Sequence, residues 1–252
     1  MSVGDGPRPL TLDELPSILE RIHGTLVAHR EEIDALNVFP VPDGDTGTNM
    51  AATAAAALEA LGDLDDGASS EERASAIGRG ALRGAKGNSG VILSQVIRAF
   101  VTILSEEGEL DAAGLARTFE RARELAYEAV ADPVEGTILT TITQAAIRAR
   151  HCAKEERELG PTLDRVLEDV ESTTQDTLRM LKANRDAGVV DAGARGFALV
   201  VGALHAHATG VPREPPPAVT RKVERPEPVV AAHETGSLEF RFEVQYLLDA
   251  PE

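Results

Sequence analysis

Between residues 12 and 208 apolar side chains recur at helical spacing in one stretch after another, and each stretch ends in a short run of Gly, Pro, Asp or Ser. No convincing strand pattern occurs before residue 235. Amphipathic helices joined by short connections bury their apolar faces only by packing side by side, so the expected fold is all-α, an antiparallel up-and-down bundle. Composition agrees. Aromatic residues make up 3% and Trp is absent, whereas a β-sandwich leans on aromatic and β-branched residues. An apolar fraction of 42% is enough for a buried core.

The spacing predicts helices over about 12–36, 50–61, 70–80, 91–104, 112–131, 137–155, 161–184 and 197–208. Thr11 and Glu14 form a capping-box pattern ahead of the first, and Pro16 either lies in its first turn or perturbs it. Residues 1–10 read as a leader, 11–210 as the helical domain and 211–236 as a linker. Six of the fourteen prolines fall in that linker stretch. After it, Leu238, Phe240, Phe242, Val244 and Tyr246 alternate with polar residues, a strand pattern that needs a partner to be stable. Residues 237–252 are therefore expected to begin a truncated second domain.

Charge and cysteine usage exclude several functions. Forty-two acidic against twenty-five basic residues give −17, which disfavours nucleic acid as a partner. The single Cys152 forms no internal disulfide, as expected of a reducing, cytoplasmic location. No 18-residue apolar run and no apolar leader occur, so neither stable membrane insertion nor secretion is expected.

Chemistry concentrates in loops rich in small residues. In Asp43-Gly-Asp-Thr-Gly-Thr-Asn49, two carboxylates two residues apart can converge on one hard cation, and the following helix start favours an anion. Thr46, Thr48 and Asn49 add side-chain donors. An acidic turn with an ordinary cap would use the same residue types. An EF-hand is excluded, because its fifth and twelfth positions would be Gly47 and Ala54. Gly84-Ala-Lys-Gly-Asn-Ser-Gly90 lets backbone amides approach a phosphate but lacks the Walker A spacing. Asp191-Ala-Gly-Ala-Arg-Gly196 and Gly136-Thr137 also precede helices. Several such starts gathered at one end would form a nucleotide cup. His23, His29, His205 and His207 show no zinc spacing, and no Ser-His-Asp set is apparent.

The stretch LNVFPVPDGDTGTNM from Leu36 to Met50 resembles the DhaL (Dak2) kinase domain family. Within it the chain is most similar to the N-terminal ATP-binding domain of the bacterial fatty acid kinase A subunits. Gly84–Ser94, Glu135–Thr137 and Val189–Gly193 follow in the family's order, and the resemblance covers about residues 11–210. It implies an eight-helix barrel-like bundle that binds ATP and two Mg²⁺ ions at one end. Asp43 and Asp45 match the catalytic, metal-binding carboxylates, with Asn37 completing the metal shell. Thr46, Gly47, Thr48 and Asn49 match phosphate contacts, and Asn88, Ser89 and Gly90 match a second phosphate loop. Thr137 and the loop of Asp191, Ala192 and Gly193 match the nucleotide-lid region. Dihydroxyacetone kinases carry a third Asp five residues before the first of the pair, where this chain has Val38.

The resemblance implies transfer of the γ-phosphoryl group to a fatty-acid carboxylate, giving acyl phosphate for phospholipid synthesis. The acid would be presented by a separate DegV-like fatty-acid-binding protein. A carboxylate is already ionised at neutral pH and needs no general base. The alternatives are a dihydroxyacetone kinase L subunit and a nucleotide-binding regulatory module without turnover. A homodimer through a C-terminal region beyond this chain is a further expectation.

Overall fold

The computed structural model describes residues 9–217, apart from residues 66 and 156. The strand expected at 238–248, and with it the second domain, lies outside the described residues. Leu10–Thr11 (β1) pairs antiparallel with Glu109–Leu110 (β2), with Leu10 opposite Leu110 and both side chains buried. This corrects the expectation of no strand before 235: a two-residue ladder is too short to leave a periodic pattern. The Glu14 carboxylate accepts from the Thr11 backbone N–H (2.9 Å) and hydroxyl (3.1 Å) and opens a single 3₁₀ turn, Leu12–Glu14.

Helix α1 spans Leu15–Ala28, with Pro16 in its first turn, where a missing N–H costs no helical bond. The expected helix over 12–36 is broken at His29 (φ −105°, ψ 8°), beyond which α2 spans Arg30–Ala35. Then follow α3 (Thr46–Gly62), α4 (Ser70–Gly84), α5 (Gly87–Glu107), α6 (Ala112–Glu128), α7 (Ile138–Lys154) and α8 (Leu159–Met180). The expected helix over 161–184 is likewise split. Leu181 adopts extended backbone (ψ 139°) between α8 and α9 (Lys182–Ala187), and α10 spans Ala192–Thr209. Eight expected helices thus become ten among the described residues.

Helices α3, α5 and α10 each start four or five residues before their apolar pattern does. Their first turns are Thr46-Gly-Thr-Asn49, Gly87-Asn-Ser-Gly90 and Ala192-Gly-Ala-Arg195, the very motifs that read as loops. Small polar residues carry no hydrophobic period, so pattern alone does not register them as helix.

Around the bundle α3, α4, α5, α6, α7, α8, α10 and α1 each pack on the next, and α1 closes the ring on α3. Directions alternate, so α3, α5, α7 and α10 all begin at the same end. Phe119 and Phe197 meet edge to face inside the ring, with centroids 6.3 Å apart and planes at 81°. By length and composition α5 could cross a membrane, but here it is a core helix, most of it buried in the bundle.

Helices α3 and α4 approach through small residues. A Cβ added at Gly80 would lie 2.8 Å from the Ala56 carbonyl oxygen and closer still to the Ala60 methyl. Gly80→Ala removes a helical glycine, worth about 1 kcal/mol in propensity, but over-packs a rigid seam at about 1–3 kcal/mol. The packing cost should win. Urea denaturation is expected to show net destabilisation, and a stabilised variant would show that the seam can open.

Candidate functional site

The acidic loop is held from below. Asn37, itself buried, accepts the Asp45 backbone N–H on Oδ1 (3.2 Å) and donates from Nδ2 to the Val41 carbonyl (3.0 Å). Gly44 turns the chain between the two carboxylates with φ +70°, a conformation costly for other residues. Asp45 stands at the cap position of α3 and Asp43 is exposed beside it. Burial first, and then the neighbouring Asp45 carboxylate, push the Asp43 carboxyl above its ordinary range. A carboxyl group whose ionisation is opposed by a like-charged neighbour is the arrangement a hard cation relieves. Among the described residues no group of three or more His, Cys, Asp and Glu gathers as a metal site. A cation here would thus draw on two carboxylates, with amide oxygens, water or substrate oxygens completing the shell. The amide oxygen of Asn37 retains a second lone pair beyond its bond to Asp45.

The start of α3 is anchored to α2 by a carboxylate that sequence reasoning missed. Asp34 accepts the Thr48 backbone N–H on Oδ1 (3.0 Å) and the Thr48 hydroxyl on Oδ2 (2.8 Å). Both Thr48 donors are engaged although the residue is exposed, while Thr46, Gly47 and Asn49 are buried and the Asn49 N–H bonds the Asp45 carbonyl (2.8 Å). Gly47 is pressed onto α2, where an added Cβ would lie 2.5 Å from the Arg30 carbonyl oxygen. Asp34 fell inside an expected helix and looked like any surface acid. Its only sequence signal is its place directly ahead of the Leu36–Met50 motif.

A chain of close approaches links the four helix starts. An added Cβ at Gly87 (φ +59°) would lie 3.1 Å from Asn49 Nδ2, which sets the second loop beside the first. At Gly196 it would strike the Met50 thioether, bringing α10 against α3. At Gly193 it would lie 3.1 Å from the Ile138 Cβ, joining α10 to α7. The structure therefore brings Asp43 to Asn49, Asn88 to Gly90, Thr137 and Asp191 to Gly193 to one end of the bundle.

Not all of them present their polar atoms outward. Asn88 is exposed and Ser89 half-buried, while Gly90, Ala192 and Gly193 are buried. The Thr137 hydroxyl caps α7, accepting from Leu139 N–H (3.3 Å) and donating to the Val134 carbonyl (2.7 Å). The Asp191 carboxylate accepts the Ala194 N–H (2.8 Å), and the backbone N–H groups of Ile138 and Gly193 also favour its charge. One buried carboxylate thus ties the first turns of α7 and α10 together. Burial pushes it up to about 6, against the pull of those three N–H groups. Asn184, just before this loop, is 1% exposed, and neither its amide oxygen nor its nitrogen finds a protein partner. A buried amide in that state calls for a water or a ligand.

Residues 40–206 match the DAK2 domain family. Protein YloV of Bacillus subtilis (strain 168) is 42% identical over 170 residues, which cover 67% of this chain and 30% of YloV. The SSP1546 protein of Staphylococcus saprophyticus is 40% identical over 174 residues, 68% of this chain and 31% of that protein. The chain spans about a third of the length of these curated relatives. The fold is similar to that of the C. freundii dihydroxyacetone kinase in complex with AMP-PNP and Mg²⁺. That match has a TM-score of 0.55 and 19% identity, and covers 82% of this chain and 36% of the kinase. The native form of that enzyme gives a TM-score of 0.55 at 21% identity, covering 81% of this chain and 36% of the kinase chain.

Proposed function

The chain belongs to the DAK2 domain family, and from that premise we propose that its bundle is an ATP-dependent kinase domain acting on a fatty-acid carboxylate. The carboxylate oxygen attacks the γ-phosphorus, the bond to the bridging oxygen breaks, and acyl phosphate and ADP result. The observation that carries this reading is the Asp43–Gly44–Asp45 pair at the cap of α3, set at the end where four helices begin.

The residues present fit Mg²⁺, which favours one or two carboxylates plus phosphate oxygens. Asp43 and Asp45, with Asn37 behind them, would hold one or two ions. When bound, the metal supplies charge neutralisation at the β- and γ-phosphates. The first-turn amides of Thr46 and Gly47, together with Asn49, Asn88, Ser89 and Gly90, would orient those phosphates against the helix N-termini. Asp191 and Thr137 keep the starts of α7 and α10 in place beneath the nucleotide. The acceptor arrives ionised, so no base is required of this chain.

The acid must be delivered by another protein, for which a DegV-like fatty-acid-binding partner is the candidate. A largely apolar cavity between α1, α5, α6 and α10 measures about 40 Å³, far below the roughly 300 Å³ of a small ligand pocket. A net charge of −17 also repels a free carboxylate and suits a partner with a basic docking face.

Dihydroxyacetone is the second reading, favoured by the fold of the C. freundii enzyme. Val38, standing where such kinases carry a third Asp, opposes it. ADP release measured with free fatty acid, with acid-loaded partner, and with dihydroxyacetone plus its carrier subunit separates the two. The chain is expected to bind Mg²⁺–ATP, to leave free fatty acid nearly untouched and to turn over with the loaded partner. Robust acyl phosphate from free acid would sink the delivery step, and turnover on dihydroxyacetone would favour the second reading.

A further inference from the structure

Arg195 belongs to the third small-residue motif, where a phosphate-binding arginine would be an ordinary guess. It is instead 3% exposed, and its guanidinium is spent elsewhere. Nε and Nη2 each lie 2.7 Å from Glu32 Oε1 on α2, and Nη1 donates to the Pro216 carbonyl (2.9 Å). The other Glu32 oxygen lies 2.8 Å from His29 Nδ1. Arg195 therefore joins three parts of the chain: the first turn of α10, the helix leading into the Asn37–Asn49 loop, and the segment that follows the bundle.

That segment was expected to be linker from residue 211, yet its described part lies on the bundle. After Gly210 (φ +70°) the chain doubles back. Arg213 pairs with Glu171 on α8 at 3.0 Å, and Pro212, Arg213 and Pro215 line a cavity of about 200 Å³ with Arg21, Thr25 and Gly202. The reach of the chain fixes its course. From Thr209 back to Arg195 the α10 axis spans about 21 Å at 1.5 Å per residue. Residues 210–216 cover about 22 Å only if nearly fully extended, as a proline-rich segment is. The segment must then run along most of α10 and return the chain to the end where the four helices begin.

Resting on the nucleotide-site reading, we propose that Arg195 is a positioning residue through which docking of residues 211–217 sets the geometry of the nucleotide loops. With the segment in place, Pro216 and Glu32 fix the guanidinium between them and hold the start of α10 against α2. With it released, Arg195 keeps Glu32 but loses its Pro216 anchor, and the guanidinium holds the first turn of α10 against α2 less firmly. By linkage the effect runs both ways: nucleotide binding tightens the segment, and the docked segment tightens the nucleotide.

Hydrogen exchange and Mg²⁺–AMP-PNP titration on the full 252-residue chain test this. Arg213→Ala alters a partly exposed side chain outside the site. It should raise exchange at Val211 and Glu214, two of the three amides that 211–217 holds among its four prolines, and also in 189–196 and 30–37, and weaken AMP-PNP binding about 5-fold or more. In the wild type AMP-PNP should protect 211–217. Arg195→Lys keeps a charge near Glu32 but cannot make all three bonds, so nucleotide should no longer protect 211–217, and the thermal midpoint should fall with helical content kept. Exchange that rises in 211–217 alone, with affinity unchanged, would overturn the coupling. A segment still protected in Arg213→Ala would overturn the anchoring. If the wild type binds no nucleotide, the kinase reading fails, and the exchange of 189–196 in Arg213→Ala still decides whether segment and loop are coupled.

Discussion

Asp43→Ala and Asp45→Ala should each lower phosphoryl transfer by about a thousand-fold or more while leaving the fold intact. The two effects separate because the carboxylates do different things in folding and in catalysis. In the folded chain Asp43 is exposed and its main electrostatic neighbour is the like-charged Asp45. Removing either costs no core contact and relieves repulsion, so stability should move by no more than about 0.5 kcal/mol. In the reaction the same groups would hold the ion that neutralises the transferring phosphate. Loss of a single preorganised electrostatic contact already costs about 100- to 1000-fold, and loss of the ion costs more. Single-turnover ADP release with the loaded partner, beside thermal unfolding of each variant, reads both quantities. Unchanged turnover in both variants would remove the metal assignment. Loss of turnover together with loss of helicity would make the loop structural.

How much was legible in the sequence follows from what periodicity can carry. Leu15, Ile18, Leu19, Ile22 and Leu26 lie on one face at helical spacing, and all are buried as that spacing requires. The all-α bundle was legible for the same reason. The break at His29 was not, because a helix that bends and resumes keeps its apolar residues in phase well enough to read as one. The Asp43–Asn49 motif was legible as an acidic turn leading into a helix start, which is what a cation site and an ordinary capped turn have in common. The partners that hold it were not. Asp34 sits fourteen residues from Thr48, and Arg195 lies 163 residues from Glu32. Side chains brought together by tertiary packing leave no local pattern. The same limit explains why Asp191 and Thr137 could be placed at helix starts but not oriented. A capping carboxylate and a phosphate-lid carboxylate have the same spacing in sequence and differ only in which way the turn faces.

The inward orientation of Asp191 gives the second large effect, on stability. Asp191→Ala removes the cap of α10 and leaves the buried Ala194 N–H without its acceptor, together about 1–3 kcal/mol, and takes away the charge that the Ile138 and Gly193 N–H groups favour. Against a typical domain stability of about 5–15 kcal/mol, that is a large share. The loss should also depend on pH. Burial raises the folded carboxyl to about 6, while the unfolded chain ionises near 3.8. Between those values the folded chain keeps a proton that the unfolded chain has released, so each step up in pH disfavours folding. The full cost of the ionised, buried group is present above pH 6 and absent below about 3.8, and a shift of that size corresponds to about 3 kcal/mol. The alanine variant lacks this titration. Its stability deficit relative to the wild type should therefore be largest at about pH 4 and below, shrink between pH 4 and 6, and level off above that, where the wild type carries the cost of its own charge. Urea denaturation of both proteins across that range measures the difference directly. A deficit that grows with pH would mean the three N–H groups outweigh burial and hold the carboxyl below its ordinary range. A negligible deficit at every pH would mean the starts of α7 and α10 are held together without Asp191.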